Sequence, residues 1–78
     1  MLRYSELSKP QKIIIDKMKS GFILRYTMKG YSLNKGEDSI IFRTDTPNSL
    51  LKRHYIIECF HDWDTGMREY CLNADITY

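Results

Sequence analysis

Four side chains in the C-terminal half are of types that hold metals: His54, Cys59, His61 and Cys71. Zinc takes such ligands, but a closed site needs four that converge. In an extended segment, alternation puts Cys59 and His61 on one face and His54 on the other. No Cys-x-x-Cys knuckle is present, so the pattern reads better as a buried Cys pair beside a surface histidine. Asp64-Thr65-Gly66 has the residues of an aspartic-protease triplet, which works only when two such loops share a proton. A chain turn accounts for it. Asp62-x-Asp64-x-Gly66 lacks the late Glu of a calcium loop, since Asn73 stands there. There is no Gly-x-Ser-x-Gly elbow and no phosphate loop ending in Lys-Ser/Thr. The chain therefore reads as non-enzymatic, with no catalytic residue, metal or cofactor.

The remaining chemistry is charge. The formal net charge is +2, but it is unevenly distributed. Residues 1–36 hold eight basic and two acidic side chains, residues 37–57 hold three of each, and residues 58–78 hold one basic and five acidic. Lys9, Lys12 and Lys19, with Arg25 and Lys29 on the segment that follows, form a stripe able to meet DNA phosphates. The competing reading is an outer helix face kept soluble by lysine.

Elements must position these residues, and 78 residues allow one small domain, 1–78, with one core. Hydrophobic residues at 42% and aromatics at 13% argue against disorder. The apolar runs reach three residues, as at Ile13–Ile15, against the roughly 20 of a membrane helix. No secretory leader is read, so the expected location is the cytoplasm of the producing or host cell. Two cysteines are too few for a disulfide scaffold, and a cytosolic setting would keep them reduced.

Ser8 and Gln11 form a capping box, with Pro10 in the first turn and Gly21 past the end. The spacing predicts a helix from about Lys9 to Ser20, burying Ile14, Ile15 and Met18 and leaving Ile13 partly exposed. Phe22–Met28 and Tyr31–Leu33 read as a hairpin about Lys29-Gly30, residues 34–38 as a loop, and Ser39–Arg43 as a strand. Thr46 or Asp45 caps a short helix over Asn48–Arg53, with Pro47 in its first turn. Tyr55–His61 and Arg68–Leu72 form a second hairpin. A three-residue loop at Asp64-Thr65-Gly66 would oppose Cys59 to Cys71, Phe60 to Tyr70, His61 to Glu69 and Trp63 to Met67. A two-residue loop would shift each pair by one.

This order, with Leu7-Ser8-Lys9-Pro10-Gln11 before the first helix and Thr46-x-x-Ser49-Leu50-Leu51-Lys52-Arg53-x-Tyr55-Ile56 later, resembles small winged-helix proteins of phages and mobile elements. The Thr-x-x-Leu-Leu-Lys-Arg-like segment would be the recognition-type helix, and Tyr70-x-Leu72 resembles the return strand of the wing. The resemblance implies an α+β fold, helix–β-hairpin(–strand)–short helix–β-hairpin, with Asn48, Ser49, Lys52 and Arg53 facing DNA. The family's turn glycine is His54 here, and Phe22–Arg43 replaces its middle helix. The acidic wing, with Asp62, Asp64 and Glu69, would repel phosphate. The alternative is a small phage or mobile-element protein that inhibits a host system by protein–protein binding, with Trp63, Tyr78 or Ile13 as anchors. A homodimer through the strand edge of the Asn73–Tyr78 tail is a third expectation.

Overall fold

The computed structural model describes residues 2–42 and 45–78. Arg43, expected to end a strand, and Thr44, just ahead of the second helix, lie outside the described residues. The described chain is α+β: two helices on one face of a five-stranded antiparallel sheet, with a two-stranded pair that joins the chain ends. None of its helices is long and apolar enough to cross a membrane.

Helix α1 spans Lys9–Lys19. Both bonds of the capping box form: the Ser8 backbone N–H donates to Gln11 Oε1 at 2.9 Å, and the Gln11 N–H donates to Ser8 Oγ at 3.4 Å. Ile14 and Ile15 are fully buried and Met18 nearly so, while Ile13 keeps 49% of its surface, as its place off the apolar stripe requires. Each such burial stabilises the fold by roughly 1.5–3 kcal/mol. At the C-terminal end Gly21 takes a φ of 111°, and Lys35 Nζ donates to the Ser20 carbonyl at 2.8 Å, where the helix dipole favours a cation.

Strands β2 (Ile23–Thr27) and β3 (Gly30–Lys35) form the first hairpin, and β4 (Asp38–Ile41) continues it. Thr27 pairs with Gly30, so the turn is Met28-Lys29, one residue earlier than expected. Residues 34–38, expected to be a loop, are mostly strand, because Asn34 pairs with Ser39 and Lys35 with Asp38 about a Gly36-Glu37 turn. Helix α2 covers Thr46–Lys52, with Asp45 at its cap position making no side-chain cap bond. Strands β5 (Ile56–His61) and β6 (Arg68–Leu72) complete the sheet in the order β4-β3-β2-β6-β5. The second hairpin is thus not a free arm, since β6 pairs with β2 through Leu24↔Tyr70, Arg25↔Glu69 and Tyr26↔Arg68.

The expected register of that hairpin is corrected. A four-residue turn closes it, with the Asp62 N–H donating to the Met67 carbonyl at 2.8 Å and Gly66 at φ 77°. His61 opposes Arg68 and Phe60 opposes Glu69. Beyond an irregularity between Glu58 and Phe60, Glu58 opposes Tyr70 and Ile57 opposes Cys71. The extra residue at the bulge leaves Cys59 without a ladder partner. Cys59 and Cys71 are exposed rather than buried, and they are bonded to one another across the strands, Cα atoms 5.9 Å apart, rather than free thiols.

The chain ends meet. Strand β1 (Leu2–Arg3) runs parallel to β7 (Ile76–Thr77), so one side of the tail expected as a free edge is already occupied. Ile76 enters the core, and buried Tyr55 pins β1 from beneath, its hydroxyl donating to the Arg3 carbonyl at 2.8 Å and accepting from the Arg3 N–H at 3.1 Å. Leu24, Leu33, Ile56 and Tyr70 meet α1 and Leu50 of α2 in the core.

Candidate nucleic-acid interface

Strand alternation sorts the basic residues first. Leu24 and Leu33 point toward the helices, so Tyr26 and Tyr31 do too, whereas Arg25, Ser32 and Glu69 face the opposite side. Arg25 is there engaged with Glu69, Nε to Oε2 at 2.8 Å. The structure therefore separates Arg25 from the helix lysines. Lys29 stands exposed in the β2–β3 turn, also away from α1.

Three of the expected cations share a different arrangement: each lies over an aromatic ring. Lys12 Nζ is 5.4 Å from the Tyr4 ring centroid, Lys19 Nζ is 3.9 Å from that of Tyr78, and the Arg53 guanidinium carbon is 5.1 Å from that of Tyr55. Two of the rings, Tyr4 and Tyr78, form one surface, and the third, Tyr55, is buried beneath Arg53 and Arg3. Tyr4 and Tyr78 meet with centroids 5.7 Å apart, and Tyr55 is bonded to Arg3, the neighbour of Tyr4. Lys12 and Lys19 from α1 are in this way joined to Arg53 at the end of α2 through residues of both termini. Lys9, exposed at the start of α1, and Lys52, exposed at the end of α2, adjoin the band on their own helices.

A cation over a ring face keeps N–H donors that can turn outward to a phosphate. One acid lies within the band: the Tyr4 hydroxyl donates to both carboxylate oxygens of Asp16, at 2.8 and 3.0 Å. That bond to a carboxylate raises the Tyr4 hydroxyl above its ordinary pKa, so it stays a donor. Desolvation, with Asp16 second, raises Tyr78 likewise.

The two other expected residues of α2 are differently employed. Ser49 is half-buried between the helices, accepting from Gln11 Nε2 at 2.9 Å and donating to the Thr46 carbonyl at 2.7 Å, so it links α1 to α2 rather than facing outward. Asn48 and Lys29 line a cleft of about 740 Å³ between α2 and the tip of the sheet. The nine candidate residues thus divide: Lys9, Lys12, Lys19, Lys52 and Arg53 on or beside the band, Lys29 and Asn48 at the cleft, Arg25 on the far face and Ser49 inside.

Tyr4, Tyr55 and Arg3 belong to the band without having been anticipated, and Tyr78, expected as an anchor for a protein partner, belongs to it as well. Their signal was faint: an aromatic near each end of the chain, with nothing local to show that the ends pair. Comparison of the chain with known protein families, curated proteins and solved structures gives no match, so the band is read from its own residues.

Proposed function

We propose that this chain is a small, non-enzymatic DNA-binding regulatory protein of winged-helix-like type. The observation that carries the reading is the cation–aromatic band, which unites Lys12, Lys19 and Arg53 from helices far apart in sequence. The resemblance gains support at one residue. His54, where that family has its turn glycine, takes a φ of 65°, a left-handed conformation that glycine adopts most readily. The order α2, tight turn, β5, β6 also follows the recognition-type helix and its wing. The acidic turn of the second hairpin turns phosphate away, so the contact falls on the helices and not on the wing.

Fluorescence anisotropy with a labelled mixed-sequence duplex tests this. For about four phosphate contacts, affinity should fall roughly 100-fold between 50 and 200 mM salt. The triple variant Lys12→Gln, Lys19→Gln, Arg53→Gln should lose binding while remaining folded by circular dichroism. Absence of wild-type binding at 20 mM salt overturns the reading.

A second reading is inhibition of a host system by protein–protein contact. It draws on the sheet face turned away from the helices, where Ile23, Ile41, Ile57 and Phe60 are exposed. A stoichiometric protein partner, with binding lost in Phe60→Glu and kept in the triple variant, would favour it.

A further inference from the structure

The helices leave one end of their sheet face uncovered, and the register there places four side chains in a single row across it. His61 opposes Arg68, Arg68 opposes Tyr26, and Tyr26 opposes Tyr31. Directly opposed residues point to the same face, so the row stands on one side of four consecutive strands, β5, β6, β2 and β3. At about 4.8 Å per strand it spans roughly 14 Å. Tyr26 and Tyr31 rings lie 4.8 Å apart, and Tyr31 lies 6.0 Å from Tyr70. At the other end Trp63, 85% exposed, stacks on His61 with centroids 4.0 Å apart and planes 12° apart. An open indole stacked on an imidazole is a second flat platform. The cleft beside α2 adds Lys29 and the Asn48 amide, with one acid, Asp45, on its α2 wall.

We infer that this row is a site for unpaired nucleobases: a short single-stranded segment, two or three bases stacking on Trp63–His61 and on Tyr26. This rests on the nucleic-acid reading above and names the form of nucleic acid that this second surface takes. Every base has a π face, so stacking platforms with an interleaved cation bind single strands with little sequence preference. A sheet that presents aromatic residues to splayed bases is an established solution for single strands.

Electrostatics fixes how the strand lies. Glu58 holds Arg68 at 3.3 Å and His61 at 3.6 Å, and Asp62 and Asp64 occupy the turn that carries Trp63. Phosphates are therefore excluded from the β5–β6 end, and the backbone passes by Lys29 at the β2–β3 turn, clear of Asp45 at the start of α2, with bases turned inward. Binding at the row is dominated by stacking, and its salt dependence is shallow, unlike that of the band. Tyr31 stays a neutral donor, since burial, ahead of the neighbouring Tyr70, pushes its hydroxyl up to about 12.

The sequence contains a single tryptophan, so its emission reports the row directly. Titration with octathymidylate should quench Trp63 emission, with an affinity that falls less than tenfold between 50 and 200 mM salt. By anisotropy, Tyr26→Leu and Trp63→Leu should each weaken octathymidylate binding at least tenfold. Both side chains are exposed enough for these variants to fold, and circular dichroism verifies it. Ile41→Ser, on the opposite sheet face, should change the affinity less than twofold. Duplex binding without quenching by saturating octathymidylate overturns the row and leaves the band standing. Quenching that persists unchanged in Tyr26→Leu also overturns it. No binding of either probe overturns both.

Discussion

Gln11 is the polar side chain that the described core buries, and it makes two connections at once. Its Oε1 accepts from the Ser8 N–H and its Nε2 donates to Ser49 Oγ. The first was legible, because a capping box has a fixed spacing. The second was not, because it joins residues 38 apart in sequence. The winged-helix resemblance put Ser49 on a DNA-facing surface, and the structure bonds its hydroxyl to Gln11 of α1. Gln11→Leu keeps the volume and removes both bonds. Ser8 is exposed, so water can replace its partner, and the loss is that of a helix cap and one half-buried hydrogen bond, about 1–2 kcal/mol. The variant should therefore unfold at lower urea, with a melting temperature reduced by roughly 5–15 °C for a domain of this size. Gln11→Glu keeps an acceptor for Ser8 and should recover part of the loss. Equal stability of wild type and Gln11→Leu, measured by urea denaturation, would show that the two bonds carry no net weight.

Elements were legible where a local rule sets them. The capping box, Pro10 and the Ile14–Ile15–Met18 stripe fix α1 to within a residue, and Pro47 places the start of α2. Register was not legible where a single inserted residue sets it. The bulge beside Cys59 shifts the β5–β6 pairing, and no residue type announces it. The pairing of β1 with β7 was invisible for another reason: two-residue strands have no periodicity, and what holds them, buried Ile76 and the Tyr55–Arg3 hydrogen bonds, joins residues far apart in sequence. The Ile76 contact has a measurable weight. Ile76→Ala removes a side chain from the core, which costs about 2–4 kcal/mol where the site cannot collapse. Because β7 carries Tyr78 against Tyr4 and Lys19, the same variant should also weaken duplex binding several-fold at temperatures where it remains folded. A change in stability below about 0.5 kcal/mol, within the range of ordinary surface substitutions, would mean that the tail is not docked in solution.

At the scale of the molecule, the question is whether a +2 chain can act as a polycation. The site was half legible here: composition located the lysines, but the aromatic rings beside them come from two termini and the turn before β5, and only the fold assembles them. The separation of sign persists in part: Arg25 is neutralised by Glu69, while the α1 and α2 cations stay apart from the acidic turn. Arg53 lies over Tyr55 at the start of β5, and Asp62 and Asp64 stand in the turn at its far end. Six strand residues put these ends about 20 Å apart, within a molecule whose longest dimension is 35 Å. At 0.15 M salt the screening length is about 8 Å, so the acidic turn scarcely opposes a duplex held at the band. At 0.01 M it is about 30 Å, and the whole molecule is felt at once. Replacing both acids, Asp62→Asn with Asp64→Asn, should therefore raise duplex affinity several-fold at 10 mM salt and less than twofold at 150 mM. An equal gain at both concentrations would place the phosphates against the turn itself, and the wing, rather than the helices, would then be the contact surface.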